Sequence, residues 1–340
     1  MLRFFCMILQ SSALDISGPW RNWQTSVSPG LESSFVRPKK DALRLLSEAS
    51  SIIARFTEGE DDCATAIDGL FLSRRTSPSA PLHTAQWPCV ALVAQGAKSI
   101  EVGANVLDYG IGSYLVVSLD LPVVSRVTLA SRNKPLLGIG MAIREDSLKA
   151  VMRRCQLEAL PPSRRGASSI AVNPAPPPML DAVLRLLRLL DEPDAIAALA
   201  PLIEQEILFR VLTGPAGPRL ASMLPADGPS NRISKATRWL RENFSQPLRI
   251  QDLAERVGMS VSSLHHHFSE VAGMTPVQYQ KLLRLHEARR LMLVDRMDAG
   301  SAGHAVGYQS PSQFSREYSR LYGRSPLRDI DVLRASSECT

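Results

Sequence analysis

Apolar residues in the last third of the chain recur with the period of amphipathic helices. In the segment 261–271 they are spaced as a single stripe along one helical face. That stripe consists of Val261, Leu264, Phe268 and Val271. A shorter helical pattern, 250–257, precedes it; Gly258 can adopt the left-handed conformation that ends a helix, and Ser260 can cap the next one. The pattern therefore predicts a helix-turn-helix unit.

A second unit of the same kind follows about 50 residues later. Residues 299–306 predict a short helix, Gly307 repeats the turn position, and Ser310 and Pro311 are typical of a helix start. Phe314, Tyr318 and Leu321 are the predicted inward residues of the helix that follows. Between the units, 276–293 predicts one helix about 27 Å long, which could separate the two second helices by roughly one turn of DNA.

The predicted outward faces of the two second helices carry polar side chains suited to nucleic acid. Imidazole, Gln and Arg groups can bond to base edges or to phosphates. The candidate DNA-binding residues are Ser262, His265, His266 and Ser269 on the first helix, and Ser312, Gln313, Arg316, Glu317 and Arg320 on the second.

The run His265-His266-His267 has three interpretations: a metal site, a pH switch, or contact with a charged partner. Consecutive helical residues point about 100° apart, and we expect no Cys, Asp or Glu of this helix to complete a ligand set. A pH switch needs a bistable element, which the sequence does not indicate. We therefore expect no metal and no cofactor, with His265 and His266 outward, as contacts or solvated groups, and His267 packed at the core edge.

Residues 85–145 show a different texture, with short β-rich runs separated by turn residues. Runs such as CVALVAQ and SYLVVSL, joined by Gly-containing turns, predict hairpins and hence an antiparallel sandwich or barrel. Helical patterns flank them at 42–56, 180–190 and 195–212. Two stretches rich in Pro, at 160–178 and 213–231, predict a loop and a linker. The fold class expected is α+β in two domains.

Charge is concentrated at the C-terminal end of the chain. Residues 230–340 hold 16 of the 39 Lys and Arg and 11 of the 33 Asp and Glu, about +5 of a net +6. Such a segment favours phosphates or acidic surfaces, although a solvated basic face fits equally well. The five cysteines are scattered and odd in number, which argues against a disulfide framework and favours a reducing cytoplasm.

Two C-terminal stretches resemble the DNA-binding domain of AraC-type transcriptional regulators. They are PLRIQDLAERVGMSVSSLHHHFSEVAGMTPVQYQKLLRLHEARRLML and VGYQSPSQFSREYSRLYGRSP. The resemblance implies two helix-turn-helix units that enter successive major grooves, with recognition positions at Ser262, His265, His266, Ser312, Gln313, Arg316 and Glu317. Three features depart from the family pattern. Arg249 replaces a frequent Ser or Thr cap, His266 stands where Arg is usual, and AGSAGHAVG is unusually small for the first helix of the second unit.

The β-rich region resembles the N-terminal effector and dimerisation domain of a branch of this family, notably in QWPCVALVAQGAKSIEVG and YLVVSLDLP. The resemblance implies a cupin-like barrel with a pocket for a small organic effector. Metal cupins need clustered His and Glu on adjacent strands, but only His83 precedes these strands, so we expect no catalytic metal and no enzyme. Expected partners are double-stranded DNA and a small-molecule effector, with RNA polymerase and a homodimer partner as further candidates, and no membrane.

The opening MLRFFCMILQSSA has an apolar run of about seven residues, at the lower limit for a signal peptide, so we expect a disordered leader or a start at Met7. The expected organisation is a leader at 1–30, an effector-binding and dimerisation domain at 31–212 (barrel 85–145, helices 180–212), a linker at 213–231, a double helix-turn-helix domain at 232–330 and a tail at 331–340. The leading hypothesis is a cytoplasmic, sequence-specific transcriptional regulator. The alternatives are a degenerate family member that acts through protein partners, and a cupin-type enzyme with a helical appendage.

Overall fold

The computed structural model describes residues 40–59, 62–103, 105–157, 169–221, 223–224 and 229–338. The predicted leader lies outside these residues. Within them, an N-terminal part containing two β-sheets and four longer helices, which we call the β-domain, precedes an all-helical C-terminal part. This is the two-domain α+β architecture that the sequence predicts.

The β-domain begins with a helix and then contains ten strands. Its elements are α1 (Lys40–Phe56), β1 (Asp62–Ala64), β2 (Leu70–Arg75), β3 (Leu82–Gln86), β4 (Cys89–Gln95), β5 (Ala97–Val102), β6 (Asn105–Gly110), β7 (Ser113–Val117), β8 (Leu121–Leu129), β9 (Leu136–Ala142), α2 (Glu145–Arg154), β10 (Ile170–Pro174), α3 (Pro177–Arg188), α4 (Pro193–Leu212) and α5 (Gly217–Ala221).

The strands pair into two antiparallel sheets. One has the order β1-β2-β9-β4-β7-β10 and the other β3-β8-β5-β6. Pairing among the described residues therefore forms two antiparallel sheets, as the predicted hairpins require. The sequence pattern misses β1, β2, β3 and β10. Among these, β2 pairs with β9 and β10 pairs with β7, and both partners are strands that the pattern does predict.

The six-stranded sheet is buried on both faces. Along β4, Val90, Leu92 and Ala94 pack with the helices, whereas Cys89 and Val93 point towards the four-stranded sheet. This alternation follows from the period of two along a strand. It gives the β-domain a helix-covered core on one side of the sheet and an inter-sheet core on the other.

The helix-covered core includes parts of the chain that the sequence pattern places differently. The segment 213–231 contains α5, and its Leu220 is fully buried in this core, so the domain extends into the predicted linker. On α1, Leu46, Ala49 and Ile53 are buried as the pattern requires. Leu43 and Phe56 follow the same helical spacing but are exposed.

The C-terminal part contains two helix-turn-helix units and their connecting helix. Its elements are α6 (Pro229–Glu242), α7 (Ile250–Arg256), α8 (Val261–Ala272), α9 (Pro276–Leu293), α10 (Ala299–Ala305), α11 (Pro311–Tyr322) and α12 (Pro326–Glu338). The first unit is α7 and α8, and the second is α10 and α11. Helix α9 has the predicted length and joins them.

The inter-sheet core and the core of the first helix-turn-helix unit form one continuous apolar cluster, which we call the shared core. Ile100 and Val102 of β5 belong to the same cluster as Leu264 and Phe268 of α8. The N-terminal half of α9 joins it through Tyr279. The C-terminal half of α9 instead packs in a separate core with α11 and α12.

Polar contacts hold the two parts together around the shared core. The Ser169 amide donates to the carbonyl of Val271, in the last turn of α8, at 3.1 Å. The Tyr279 hydroxyl donates to the Asp120 carbonyl at 2.9 Å. The Asp120 carboxylate also pairs with Arg241 at 2.8 Å. The C-terminal end of α8 is therefore fixed to the β-domain.

At one point the two parts meet backbone to backbone. Gly103, in the β5–β6 turn with φ of +60°, is so close to Gly273 that an added Cβ would lie 2.2 Å from the Gly273 carbonyl oxygen. Gly273 itself ends α8 with φ of +72°. Glycine is required at position 103 both for its left-handed backbone and for this close approach.

Gly103→Ala should separate the two parts, because its methyl group has no room against Gly273. The matched control is Gly59→Ala: Gly59 also has a positive φ, of +84°, but no described atom lies within 4 Å of its added Cβ. Relative to that control, we expect Gly103→Ala to lower the free energy of unfolding by about 1–3 kcal/mol, the usual cost of overpacking. Urea unfolding measures this. Hydrogen exchange at the Ser169 amide should also accelerate; equal behaviour of the two variants would contradict the contact.

Candidate DNA-binding interface

The first recognition helix, α8, has capped ends. The Ser260 hydroxyl accepts from the Ser263 amide at 3.2 Å, and Gly273 supplies the left-handed C-terminal cap. The turn before it contains Gly258 with φ of +66°. Gly258 and Ser260 are the turn and start signals that the sequence predicts, and Gly273 adds a stop signal to them. At α7, Arg249 occupies the N-cap position and makes no side-chain capping bond.

The buried stripe of α8 is shifted from the predicted one. Leu264, Phe268 and Ala272 are completely buried, a spacing of four residues. Val261, predicted to face inward, is 39% exposed because it is the first residue of the helix. Val271 is only partly buried. The shift leaves the predicted polar face open to solvent.

On that face Ser262, His266 and Ser269 are exposed and His265 is half-buried. Glu270 lies beneath these side chains. The expectation that this helix provides no acidic partner is therefore wrong. Glu270 Oε1 lies 3.3 Å from His266 Nε2, and Glu270 Oε2 lies 3.1 Å from His267 Nδ1. The i, i+4 and i, i+3 spacings could have revealed this pairing.

The group His266, His267 and Glu270 therefore offers three potential ligand atoms within 4.8 Å of one another. The absence of a metal stays a prediction. As it stands, the carboxylate lies between the two imidazoles and orients them. His266, with a 65% exposed side chain, remains accessible to a partner from outside, while His267 lies at the edge of the core, where we expect it.

The second recognition helix, α11, repeats the capping. The Ser310 hydroxyl accepts from the Gln313 amide at 3.3 Å, Pro311 is the first helical residue and Gly323 is the left-handed cap. Phe314 and Tyr318 are buried, and Leu321 is partly buried against the same core. The exposed residues of the opposite face are Ser312, Gln313, Arg316 and Arg320.

Glu317 differs from these neighbours because it is committed to internal contacts. It is half-buried and accepts from the Tyr308 hydroxyl at 2.9 Å and from Gln313 Nε2 at 3.3 Å. Burial and this carboxylate raise the pKa of Tyr308, so the phenol stays a donor. Glu317 therefore fixes Gln313 and the turn before the helix, and Arg316 projects outward beside it.

The unusually small helix α10 has a packing reason. An added Cβ on Gly303 would lie 3.0 Å from the Phe314 ring, and the adjacent Ala302 is fully buried. Small residues let α10 approach the aromatic core of α11 closely. The Asp298 carboxylate caps α10 by accepting from the Ser301 amide at 3.0 Å.

Arg284 of α9 links the loop before the first unit to the turn of the second. Its role is not apparent from the sequence. Its guanidinium donates to the carbonyls of Phe244 at 2.6 Å and Gln246 at 2.8 Å, in the loop between α6 and α7. It also donates to the Gly307 carbonyl at 3.2 Å, in the turn of the second unit. A single side chain thus bonds to the loop that leads into the first unit and to the turn of the second. Only its place on the connecting helix could have indicated this role.

A buried ion pair fixes the last helix to the same frame. Arg289 of α9 bonds both carboxylate oxygens of Asp329 of α12, at 2.8 and 3.0 Å. The Tyr318 hydroxyl of α11 donates to Asp329 at 2.8 Å. Helices α9, α11 and α12 therefore share one polar junction in addition to their apolar core.

Comparisons with known families agree with both parts of this structure. The family described as "AraC-type transcriptional regulator N-terminus" matches residues 66–219, and a helix-turn-helix domain family matches residues 253–329.

Two curated relatives have similar sequences. The transcriptional activator RhaS of Escherichia fergusonii is 28% identical over 159 residues, which cover 46% of this chain and 56% of RhaS. The transcriptional regulator ArgR of Pseudomonas aeruginosa is 27% identical over 157 residues, 46% of this chain and 48% of ArgR. The matched part of the chain thus spans about half the length of each relative.

Solved structures share the fold over most of the chain. A variant of ToxT from Vibrio cholerae without ligand has a TM-score of 0.54 at 10% identity, covering 79% of this chain and all of the other. ToxT bound to an unsaturated fatty acid has a TM-score of 0.52 at 10% identity, covering 77% of this chain and 93% of the other.

None of the helices in the described part of the chain is long and apolar enough to cross a membrane. The two family matches together cover both the β-domain and the two helix-turn-helix units, in the order that the fold shows. The chain therefore carries the N-terminal domain of AraC-type transcriptional regulators at residues 66–219, followed by a helix-turn-helix domain at residues 253–329.

Proposed function

We propose that this protein is a cytoplasmic, sequence-specific DNA-binding regulator of transcription that is controlled by a small organic effector bound in the β-domain. The observation that carries the proposal is the pair of capped helices, α8 and α11. Each buries one apolar face and exposes a polar face, and each packs in an apolar cluster with residues of α9. Two such helices on one frame suit successive major grooves of DNA.

The side chains divide the work of binding by their chemistry. Gln313 and Arg316 are exposed and have the bidentate geometry that reads adenine and guanine edges. Arg320 and the hydroxyls of Ser262, Ser269 and Ser312 are suited to phosphates, which fix position rather than sequence. His265 and His266 can donate to either. Glu317 acts through Gln313 and Tyr308.

The β-domain has room for an effector between its two sheets. A cavity of about 130 Å³ lies there and opens to solvent. The fatty acid bound to ToxT supports an organic effector for this chain as well. RNA polymerase and a second copy of the chain are the partners through which bound regulator would act.

One observation favours the second candidate, a family member that acts through protein partners. Glu270 places a negative charge under the outward face of α8 and engages His266, where the family usually carries Arg. Such a protein would retain the fold and bind DNA poorly, so DNA binding separates the two candidates.

The proposal is tested by recovering genomic fragments with the full-length protein and footprinting the best one. We expect protection over two adjacent major grooves. In His265→Ala/His266→Ala the half facing α8 should be lost, whereas His304→Ala, an exposed histidine of α10 outside the recognition helices, should leave the footprint intact. Absence of any protected site would overturn the function. Full protection by the double variant would remove the histidines from the interface.

Arg316→Ala should weaken binding to the footprinted site by about 1–3 kcal/mol and relax specificity at one base pair, because a bidentate base contact is lost. Titrations against single-base variants of the site measure both effects. Arg126→Ala, an exposed arginine of β8, controls for net charge. An equal loss on every sequence would make Arg316 a phosphate contact.

Arg284→Met should weaken the coupling of the two units, since it removes the bonds of this side chain to the loop at Phe244 and Gln246 and to the turn at Gly307. Gln280 of α9 keeps its own bonds to the same loop carbonyls. Affinity for a site with both halves should then fall towards that for a single half-site, while each half-site alone is bound as before. Arg126→Met is the charge-matched control. Unchanged affinity for the double site would show that apolar packing alone orients the units.

A further inference from the structure

The cavity between the two sheets exists because strand β9 lacks side chains where it faces the four-stranded sheet. Gly138 and Gly140 occupy successive cavity-facing positions of β9. An added Cβ on Gly140 would have no described atom within 4 Å, so it would project into open space. Gly140 therefore leaves a volume that the other strands do not fill, whereas an added Cβ on Gly138 would lie 2.9 Å from the Leu92 carbonyl oxygen of β4.

The cavity wall is mostly apolar. Phe71 of β2, Val93 of β4, Ile100 of β5 and Leu115 of β7 line it. Ser73, Gln86 and Tyr109 add hydroxyl and amide groups. Such a wall, with a few polar groups among aliphatic and aromatic side chains, is typical of sites for small organic molecules.

Lys98 of β5 is a basic side chain of this cavity that has no ion-pair partner among the described residues. Its side chain lines the space and is only partly accessible. Among the described residues, no carboxylate oxygen lies within the 4.0 Å of an ion pair from its ammonium. Burial lowers the pKa of Lys98, an effect that Asp62 opposes and Arg75 reinforces.

The nearby carboxylate does not cancel this charge, because it is engaged elsewhere. Asp62, which also borders the cavity, forms a buried ion pair with Arg75. Among the described residues, the Asp62 carboxylate is therefore paired with Arg75 rather than with Lys98. A buried cation without a partner is costly, and a ligand anion would remove that cost.

We propose that the inter-sheet cavity binds a small organic anion, a carboxylate on an apolar body, whose charged group pairs with Lys98. The apolar body occupies the space beside Gly140. The inference names the chemical class of the effector in the proposed function. Binding of the ligand does not require the proposed function. Only the effect of the ligand on DNA affinity rests on it.

The position of Lys98 connects the ligand to the first recognition helix. Lys98 lies on β5, which ends at Val102, and the next residue, Gly103, contacts Gly273 at the end of α8. Val102 itself packs in the shared core with Phe268. A ligand that tightens β5 would therefore act on the C-terminal end of α8 through one short strand and its turn.

Thermal unfolding with matched acids and amides tests the binding. The probes are benzoate with benzamide and hexanoate with hexanamide, on the full-length protein. At ten times its dissociation constant, a bound carboxylate should raise the melting midpoint of the wild type by about 3–6 °C. The amides, which have the same shape and no charge, should raise it far less.

Three variants locate the effect. Lys98→Met should lose the carboxylate shift and Lys98→Arg should keep most of it. Gly140→Val, which fills the cavity without changing its charge, should also lose it. Lys134→Met, an exposed lysine between β8 and β9, is the control. A carboxylate shift retained in Lys98→Met, or none in the wild type with either acid, would overturn the proposal.

A further readout needs no ligand. If Lys98 serves a ligand rather than the fold, Lys98→Met without probe should melt about 2–4 °C above the wild type, because an unpaired buried cation is removed. A lower midpoint would show a structural role and contradict the inference.

The consequence for DNA is measured separately. The carboxylate that shifts the midpoint should change affinity for the footprinted site at least five-fold in the wild type and not in Lys98→Met. If the protein binds the carboxylate through Lys98 but protects no DNA, the proposed function fails and the site stands. If it protects DNA and no carboxylate binds, the site fails and the function stands.

Discussion

The apolar core shared by the β-domain and the first helix-turn-helix unit is the constraint on which the rest of the structure depends. Side chains from β5 pack in the same cluster as Leu264 and Phe268 of α8. The Ser169 and Tyr279 bonds, and the glycine contact at Gly103, surround that cluster. Burial of apolar area provides the driving force, and the polar contacts select one orientation. A recognition helix built this way cannot move independently of the β-domain.

The second unit is attached more indirectly. Arg284 and the Arg289–Asp329 pair bind it to α9, and β3 contacts the frame through His83, whose ring lies 5.2 Å from that of Tyr322 and 6.2 Å from that of His286. Burial lowers the pKa of His83 to about 4 and that of His286 to about 3. At neutral pH both imidazoles are therefore uncharged, and this contact is one of packing. The two units thus differ in how directly they follow the β-domain.

Much of this could be read from the sequence because helix-turn-helix units use local signals. Ser260, Gly258, Ser310 and Gly307 act on neighbouring backbone, so their roles follow from residue type and spacing. The interdomain contacts could not be predicted, because Gly103 and Gly273 are 170 positions apart and only the fold brings them together. Lys98 gave no signal either, since its alternating strand pattern does not reveal that the opposite wall is glycine. Glu270 was within reach of helical spacing and was missed.

The measurement that tests the shared core most directly is native-state hydrogen exchange of the full-length protein in increasing urea. Our account predicts that amides of α8, such as Leu264 and Phe268, open with the same free energy and urea dependence as the Ile100 amide of β5, because all three lie in one cooperative core. Exchange of the α8 amides through a separate opening of lower free energy, with β5 still protected, would contradict it. The recognition helix would then be an independent element resting on the β-domain.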